Sequence, residues 1–329
     1  MVLGREPSRR LWVAARCLRS SGASAAAVSE MATHAGLTRR AASTLVAKHR
    51  RRLRSVDCTL ESLLACIEPV RLEDYPLAST ITEGVVIYDR SELAAASGDG
   101  ELLAGSDFVA ALEDEIMTAF SDGPGIIVIK NAISLDAIDR VSVAFAELLA
   151  QERASGVAAG DHFGEPGANS RMWNSIEKLA VHDPEGFARY FANDVVPLVA
   201  RAWLGPAYQV SSQLNIVHPG GVAQTPHRDY HLGFMTSAQK ERYPAHVHAF
   251  SSMLTLQGAV AHCDMPVESG PTTYLPHSHK MQGGAQNASF LQPFWYSKRP
   301  FHQDRLGTDI RNVEKRECVC FVLHRLPRL

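Results

Sequence analysis

The sequence predicts an α+β protein in which a layer of helices packs on a jelly roll, the double-stranded β-helix. Beyond residue 60, apolar residues first recur at helical spacing, whereas β-branched runs dominate after residue 207. The 329 residues, 46% of them hydrophobic, are sufficient for one substantial core. We therefore expect a single jelly-roll domain over residues 61–329, preceded by a separate segment over residues 1–60.

Three helices are predicted in the first part of this domain. The spacing of apolar residues predicts helices over residues 107–120 and 134–152. Ser134 is a suitable N-cap for the second helix, because its hydroxyl can accept a hydrogen bond from a backbone amide of the first turn. A third helix is predicted over residues 185–203. Together they would form the helical layer.

Strands are predicted between and after these helices. Residues 125–130 are a short apolar run typical of a buried strand, and residues 208–217 are rich in β-branched side chains. The second run ends at a Pro-Gly-Gly turn, residues 219–221. A further apolar strand is predicted over residues 250–261, and a polar, glycine-rich loop over residues 156–170.

The first 55 residues are strongly basic. They contain 12 Lys and Arg against two Glu, a local charge of +10, which leaves −12 for the remainder of the chain. A segment rich in Arg, Ser and Ala and poor in acids is typical of an organellar transit peptide, so mitochondrial import is the leading expectation. The alternatives are a disordered tail on a cytoplasmic protein, or upstream sequence with translation beginning at Met31.

Other locations and partners are less favoured. Cys17 stands where an N-terminal peroxisomal signal has His or Gln, and the final Pro-Arg-Leu matches Ser-Lys-Leu poorly. No run of 18 apolar residues occurs, so no membrane span is expected. The six cysteines have neither disulfide-framework density nor zinc-finger spacing, which favours a reducing compartment. The basic segment lacks interleaved aromatic residues and the remainder of the chain is acidic, so a nucleic-acid partner is not favoured.

The His-x-Asp triplet at His227 and Asp229 carries the clearest chemical signal. Two residues apart on a strand, an imidazole and a carboxylate point to one face and can bind one cation. With a second His they would form the triad that holds ferrous iron and leaves positions open for a co-substrate and O2. The triplet follows the predicted strand 208–217 and its glycine-rich turn, a plausible position for an active site at a sheet rim.

Two other His-x-Asp triplets occur, and both are expected to be structural. Asp264, which follows His262, enters a loop rich in Pro and Gly, where an Asp serves as a turn residue. His302 and Asp304 lie in a polar stretch without periodicity.

Four further motifs complete a pattern with the first triplet. A strand carrying Gln213 and Asn215 precedes His227, and the sequence S-G-P-T-T-Y-L-P-H-S-H-K follows at residues 269–280. Upstream stand D-G-P-G-I-I-V-I-K at residues 122–130 and a helix start at residues 134–139. In these motifs the sequence resembles the phytanoyl-CoA dioxygenase family of iron(II)- and 2-oxoglutarate-dependent oxygenases, over roughly residues 70 to 280.

The resemblance implies the cofactors Fe(II), 2-oxoglutarate and O2, and a hydroxylation reaction. It implies that His227 and Asp229 bind iron, and that Gln213 and Asn215 help to position 2-oxoglutarate, although ordinary strand hydrogen bonding by these amides is an open alternative. The hydroxyl of Thr255 is a further candidate to donate a hydrogen bond to a carboxylate of 2-oxoglutarate. The alternative is that this hydroxyl donates to a backbone carbonyl.

Substrate contacts are expected from Arg171 and Trp173, the first by charge and the second by its flat face, because both follow the glycine-rich loop. A surface Arg and a core Trp are the alternative. His277 and His279 are expected to serve in a turn and in packing, because the family's histidine in that turn is not a ligand.

The C-terminal residues 281–329 do not resemble the sequences of the family. His324 is in comparable register to the family's distal iron ligand, but no Gly-Asp pair precedes it. Arg325 is a candidate for the arginine that binds 2-oxoglutarate, although strand alternation would point it away from the face of His324. We expect a divergent or truncated C-terminal part.

Three functions remain open from the sequence. The first is an oxygenase acting on a small organic or lipid-derived substrate. The second is a catalytically impaired member of the same fold that binds ligand or metal without turnover. The third is an unrelated cupin-like metal protein with three His ligands. The sequence does not indicate the oligomeric state.

Overall fold

The fold was analysed in a computed structural model of the chain. The described residues are 61, 64–98, 100–102, 104–156, 169–219, 237–240, 242–244, 247, 253–265, 271–272, 274–280 and 319–322. The basic segment 1–60 lies outside these ranges, and so do His227, Asp229, His324 and Arg325.

The described residues form seven strands and seven α-helices. The strands are β1 (Thr80–Thr82), β2 (Val85–Asp89), β3 (Ile126–Lys130), β4 (Asn169–Trp173), β5 (Gln213–Val217), β6 (Gln257–Val260) and β7 (Val319–Val322). The helices are α1 (Arg90–Ser97), α2 (Asp107–Ser121), α3 (Leu135–Ala154), α4 (Ser175–His182), α5 (Pro184–Phe191), α6 (Val195–Leu204) and the single turn α7 (Ser237–Lys240). Short 3-10 helices cover Leu72–Asp74 and Ser278–Lys280.

Five strands form one mixed sheet in the order β1-β2-β3-β7-β6. Strands β2 and β3 are parallel, and the other neighbours are antiparallel. Strands β4 and β5 form a separate antiparallel ribbon. The mixed α and β architecture is therefore as predicted, but the described strands do not close into a barrel, and the jelly roll is not confirmed.

Both faces of the five-stranded sheet are buried at its centre. Successive side chains of a strand point to opposite faces, so β2 and β3 each divide into two sets. Val86, Tyr88, Ile127 and Ile129 belong to the large core cluster that includes the helices. The opposite face carries the second cluster, which consists of Val85, Ile87, Ile126 and Val128 with Tyr274 packed against it.

Helices α2 and α3 agree with the predicted spans to within two residues. Their ends could be predicted because the residues that cap a helix are its neighbours in the sequence. The hydroxyl of Ser134 accepts the amide of Ala137 at 3.4 Å, as expected of an N-cap. Strand β3 is also as predicted, with four of its five residues buried.

The predicted third helix over residues 185–203 is wrong in one respect, since two helices, α5 and α6, occupy this span. The amide oxygen of Asn193 accepts the N–H of Val196 at 2.9 Å and so begins a new helix. The carboxylate of Asp194 binds Arg90 through two N–H donors at 2.9 and 3.1 Å, which holds the break in place. Side-chain capping of this kind competes with helix continuation.

Two of the predicted strands were too long, and several elements were not predicted. Strand β5 begins at Gln213 rather than residue 208, and the described part of the run 250–261 is a strand only over β6. The elements without a prediction include β1, β2, β4, α1 and α4. Helix α1 has clear sequence signals, because Asp89 caps its first turn and Gly98 ends it with φ of 82°.

Candidate functional site

The ribbon β4–β5 brings together four of the predicted site residues. Arg171 is the cross-strand partner of Asn215, and Trp173 is the partner of Gln213. Directly opposite residues point to the same face, and residues two apart on one strand do so as well. The predicted substrate residues and the predicted co-substrate residues therefore share one face of the ribbon.

The opposite face of the ribbon packs on the helical core. Met172 is fully buried there, and its cross-strand partner Leu214 packs against the same cluster. Because alternate residues point in opposite directions, the face with Arg171 and Trp173 is turned away from the helices. We call this surface the site face; it consists of Asn169, Arg171, Trp173, Gln213, Asn215 and Val217.

Arg171 and Trp173 contact each other on the site face. The Arg171 guanidinium carbon lies over the Trp173 ring at 5.3 Å from the ring centroid, within the range of a cation–π contact. Trp173 is 41% exposed, so the alternative of a core Trp is wrong. A charge next to an accessible aromatic ring is suited to binding a small organic anion or a flat group.

Gln213 carries a buried polar atom that the described residues leave unsatisfied. Its Oε1 is inaccessible to solvent and has no hydrogen-bond partner in the described part of the chain. Such an atom is costly to bury unless it is paired. Rotating the amide by 180° exchanges its N–H and C=O ends, so the group can equally donate to a carboxylate. The amide thus fits a ligand such as 2-oxoglutarate.

Serine hydroxyls position both strands of the ribbon. The Oγ of Ser170 accepts an N–H of Arg153, at the end of α3, and lies 2.7 Å from Nε2 of His218. The Oγ of Ser212, just before β5, contacts the hydroxyl of Ser175 and accepts the N–H of Ile176 at the start of α4. These contacts connect the ribbon to two helices and limit its movement relative to the core.

The turn at residues 274–280 packs on the beginning of β3. The backbone N–H of His277 donates to the carbonyl of Pro124 at 2.8 Å, and His277 itself is buried. Burial, together with the charge of Lys280, lowers the pKa of His277. His277 has φ of 62°, a value that few non-glycine residues adopt. The turn role expected for this histidine is therefore confirmed.

His279 packs against Gly125, which explains why the chain needs glycine there. A Cβ at position 125 would lie 2.2 Å from Nδ1 of His279, and Gly125 has φ of +78°. The next residue, Ile126, is the cross-strand partner of Val322, the last residue of β7. Strand β7 is the element that precedes His324 in the sequence, so the turn lies beside the strand that leads to this predicted ligand.

His262 is a partly buried structural residue, as expected. The Ser142 hydroxyl donates to the carbonyl of Ile138 at 2.6 Å, so its oxygen accepts the N–H of Nδ1 at 2.8 Å. Nε2 then accepts the hydroxyl of Tyr190 at 2.9 Å, and Phe145 packs on the ring at a centroid distance of 5.7 Å. Both nitrogens are occupied, and burial lowers the pKa of the imidazole. His262 and Asp264 therefore do not form a metal-binding pair.

The predicted iron ligands, His227, Asp229 and His324, lie outside the described residues, as does Arg325. Among the described residues, no group of three or more His, Cys, Asp and Glu is arranged to hold a metal. Thr255 is partly buried and lies two residues before β6. No helix in the described ranges combines the length and apolarity needed to cross a membrane.

Comparison with known proteins identifies the family. A profile of the phytanoyl-CoA dioxygenase (PhyH) family matches residues 121–317, which is more than half of the chain. The match continues past residue 280, where the likeness was expected to weaken, and it ends before His324. No curated protein and no solved structure matches the chain. Because the profile covers most of the described elements and the His-x-Asp motif, the chain belongs to the phytanoyl-CoA dioxygenase family.

Proposed function

We propose that the protein is an iron(II)- and 2-oxoglutarate-dependent dioxygenase that hydroxylates a small organic or lipid-derived substrate. The observation that carries the proposal is the site face, where predicted co-substrate residues and predicted substrate residues are cross-strand partners. Family membership supports the same reaction type. The site face also lies on the strand that leads into the His-x-Asp motif at His227.

The residues that would hold the metal are His227, Asp229 and His324. Two imidazoles and one carboxylate are the donor set that suits ferrous iron with open positions. When bound, iron and 2-oxoglutarate together supply O2 activation, with conversion of the co-substrate to succinate and CO2. The protein contributes orientation of the reactants and exclusion of water.

The side chains of the site face and its surroundings have distinct tasks in this proposal. The amides of Gln213 and Asn215 donate N–H groups to a carboxylate of the co-substrate, and the Thr255 hydroxyl is a further donor. Trp173 offers an accessible ring against which a substrate packs. Arg171 supplies the positive charge of the face.

The test is succinate formation by the full chain. Loaded anaerobically with Fe(II) and then given O2 and 2-oxoglutarate, the protein is expected to form succinate at a rate that a suitable substrate increases. His227→Ala removes one of three metal ligands and should lower the rate at least about 100-fold, since outer partners alone cost 10- to 100-fold. His302→Ala, in another His-x-Asp triplet, is the matched control and should retain the rate.

Two results would contradict the proposal. One is an iron-loaded chain that forms no succinate with any compound of a broad organic-acid, acyl-thioester and lipid library. The other is a bound zinc or manganese ion held by three His without Asp229, which would favour the cupin-like alternative.

A catalytically impaired family member is the second candidate. The specific observation in its favour is that the family match ends at residue 317, before His324 and Arg325. This candidate predicts that the chain binds 2-oxoglutarate and metal but forms no succinate at any iron concentration. Binding measured without turnover therefore distinguishes the two candidates.

A further inference from the structure

We propose that Gln257 is a specificity-determining residue, whose side-chain amide forms a hydrogen bond with a neutral polar group of an otherwise apolar substrate. The neutral group is a hydroxyl or a carboxamide, either of which can donate a hydrogen bond. The inference rests on the proposed function and adds the chemical class of the substrate. It concerns the five-stranded sheet rather than the site face of the ribbon.

Gln257 lies on the face of the five-stranded sheet that is opposite to the helices. It is the first residue of β6, and Leu256 and Val260, which alternate with it, pack against the helical core. Its cross-strand partner is Val322, and the partner of Val322 on β3 is Ile126, a member of the second cluster. The register therefore places Gln257 in line with the apolar cluster of that face.

The amide of Gln257 includes a buried polar atom that lacks a partner. Its Oε1 is inaccessible to solvent and accepts no hydrogen bond within the part of the chain that the structure describes. Valine and isoleucine, the next residue types in its row, have no side-chain donor. An unpaired polar atom of this kind lowers the stability of a fold and is rare in native proteins. A ligand that donates to Oε1 would satisfy it.

The strand surface beside this amide is open to a ligand. Ala259 is the next residue of β6 on the same face, and it is exposed. Further along the sheet the face is apolar, since the second cluster consists of valine and isoleucine side chains with Tyr274 packed against them. A charged group loses its hydration against such a surface at a large cost, whereas a neutral group that is hydrogen-bonded to Gln257 loses much less. The face therefore favours a neutral, mainly apolar molecule.

The neighbouring strand connects Gln257 with the proposed metal centre. Val322 is the last residue of β7, and His324 follows it two positions later in the sequence. A substrate held at Gln257 would thus lie beside the strand that leads to a proposed iron ligand. A buried hydrogen-bonding group discriminates strongly, because an analogue that lacks the matching group leaves it unpaired. Gln257 is therefore expected to select substrates that carry the neutral polar group.

The first experiment measures the effect of the amide on stability. Gln257→Met replaces the amide by an apolar group of similar length, so the full chain should melt at the wild-type temperature or above it. Asn193→Leu is the matched control, because the Asn193 amide donates to the carbonyl of Tyr190 and accepts the N–H of Val196, both at 2.9 Å. This control should melt about 2–4 °C lower. An equal decrease in Gln257→Met would show that the amide has a structural partner, and the assignment would be wrong.

The second experiment compares neutral and charged probes on the full chain by saturation-transfer NMR. The neutral probes are hexanamide and hexanol, and their charged counterparts are hexanoate and hexylammonium. The neutral probes should bind the wild type more tightly. Gln257→Met should weaken them about 10-fold, as expected for the loss of one hydrogen bond, and should leave the charged probes unchanged. Gln239→Met, at an exposed glutamine, is the control and should bind all four probes as the wild type does.

The outcomes separate the role of Gln257 from the proposed function, because neither experiment requires metal or turnover. Neutral probes that bind no better than charged ones, or that bind Gln257→Met as they bind the wild type, overturn the assignment. A wild type that binds neither hexanamide nor hexanol overturns it as well. If neutral probes bind through Gln257 but the iron-loaded chain forms no succinate, the proposed function fails and the ligand site at Gln257 stands.

Discussion

Single residues decide which of the three His-x-Asp triplets is available for chemistry. His262 looks equivalent to His227 in the sequence, yet hydroxyl groups of Ser142 and Tyr190 occupy both of its nitrogens. These partners lie far away in the chain and have no local signal. The expectation that His262 is structural came from Asp264 in its loop, and the structure adds the physical reason.

The partly buried imidazole of His262 predicts a loss of stability in acid. Burial lowers its pKa from the ordinary value of 6.5, and its nearest partners are hydroxyl groups and aromatic rings. Below pH 6.5 the unfolded chain binds a proton that the folded chain excludes, so the free energy of unfolding falls as the pH drops towards the folded pKa. Urea melts between pH 7.5 and pH 5 are expected to show this decrease.

The contribution of His262 to this loss of stability in acid is measured with the variant His262→Gln, which keeps a neutral hydrogen-bonding group. The variant should be less stable than the wild type at pH 7.5, by about 1–3 kcal/mol for a buried polar site left imperfectly paired. Its stability should change less between pH 7.5 and pH 5 than that of the wild type. An identical pH dependence in both proteins would show that other groups, such as His277, cause the acid effect.

At the scale of elements, local signals predicted α2, α3 and β3, whereas pairing partners could not be predicted. Helix caps and apolar periodicity lie within a few residues of each element. The partners Arg171 and Asn215 are separated by more than forty residues, so their register depends on the complete packing of the ribbon on Met172 and Leu214. Arg171, Trp173, Gln213 and Asn215 were each predicted as site residues, but their cross-strand arrangement was not predicted.

The packing of the turn 274–280 on β3 gives a prediction for Gly125→Ala. The new Cβ meets the ring of His279 and also requires a left-handed backbone with φ of +78°. We expect a loss of about 2–4 kcal/mol in the free energy of unfolding, measured by urea denaturation, as the sum of backbone strain and overpacking.

Gly98→Ala is the control, since Gly98 has a similar φ of +82° and no atom within 4 Å of the added Cβ. It should cost about 1 kcal/mol, the backbone contribution alone. Adding His279→Ala should recover part of the loss in Gly125→Ala. If the two glycine variants are equally stable, the contact with His279 does not constrain the turn.

At the scale of the whole molecule, the contrast between the basic N-terminal segment and the acidic remainder of the chain predicts the cellular location of the protein. Residues 1–60 are expected to direct a fused fluorescent protein to mitochondria, because Arg-rich, acid-poor segments with this composition are import signals. Replacing Arg9, Arg10, Arg16 and Arg19 by Gln should abolish the targeting. Diffuse cytoplasmic fluorescence of the unchanged fusion would contradict the prediction.

The sequence by itself determined the helix and strand periodicities, the presence of the His-x-Asp motif and the likeness to an oxygenase family, because each depends on residues close together in the chain. Only the tertiary structure decided that Arg171 and Trp173 lie opposite Asn215 and Gln213, that one predicted helix divides at Asn193, and that His262 is enclosed by hydroxyls. These features depend on contacts between distant segments. Such contacts form when buried surfaces match in shape and in hydrogen bonding, and a linear pattern does not record that match.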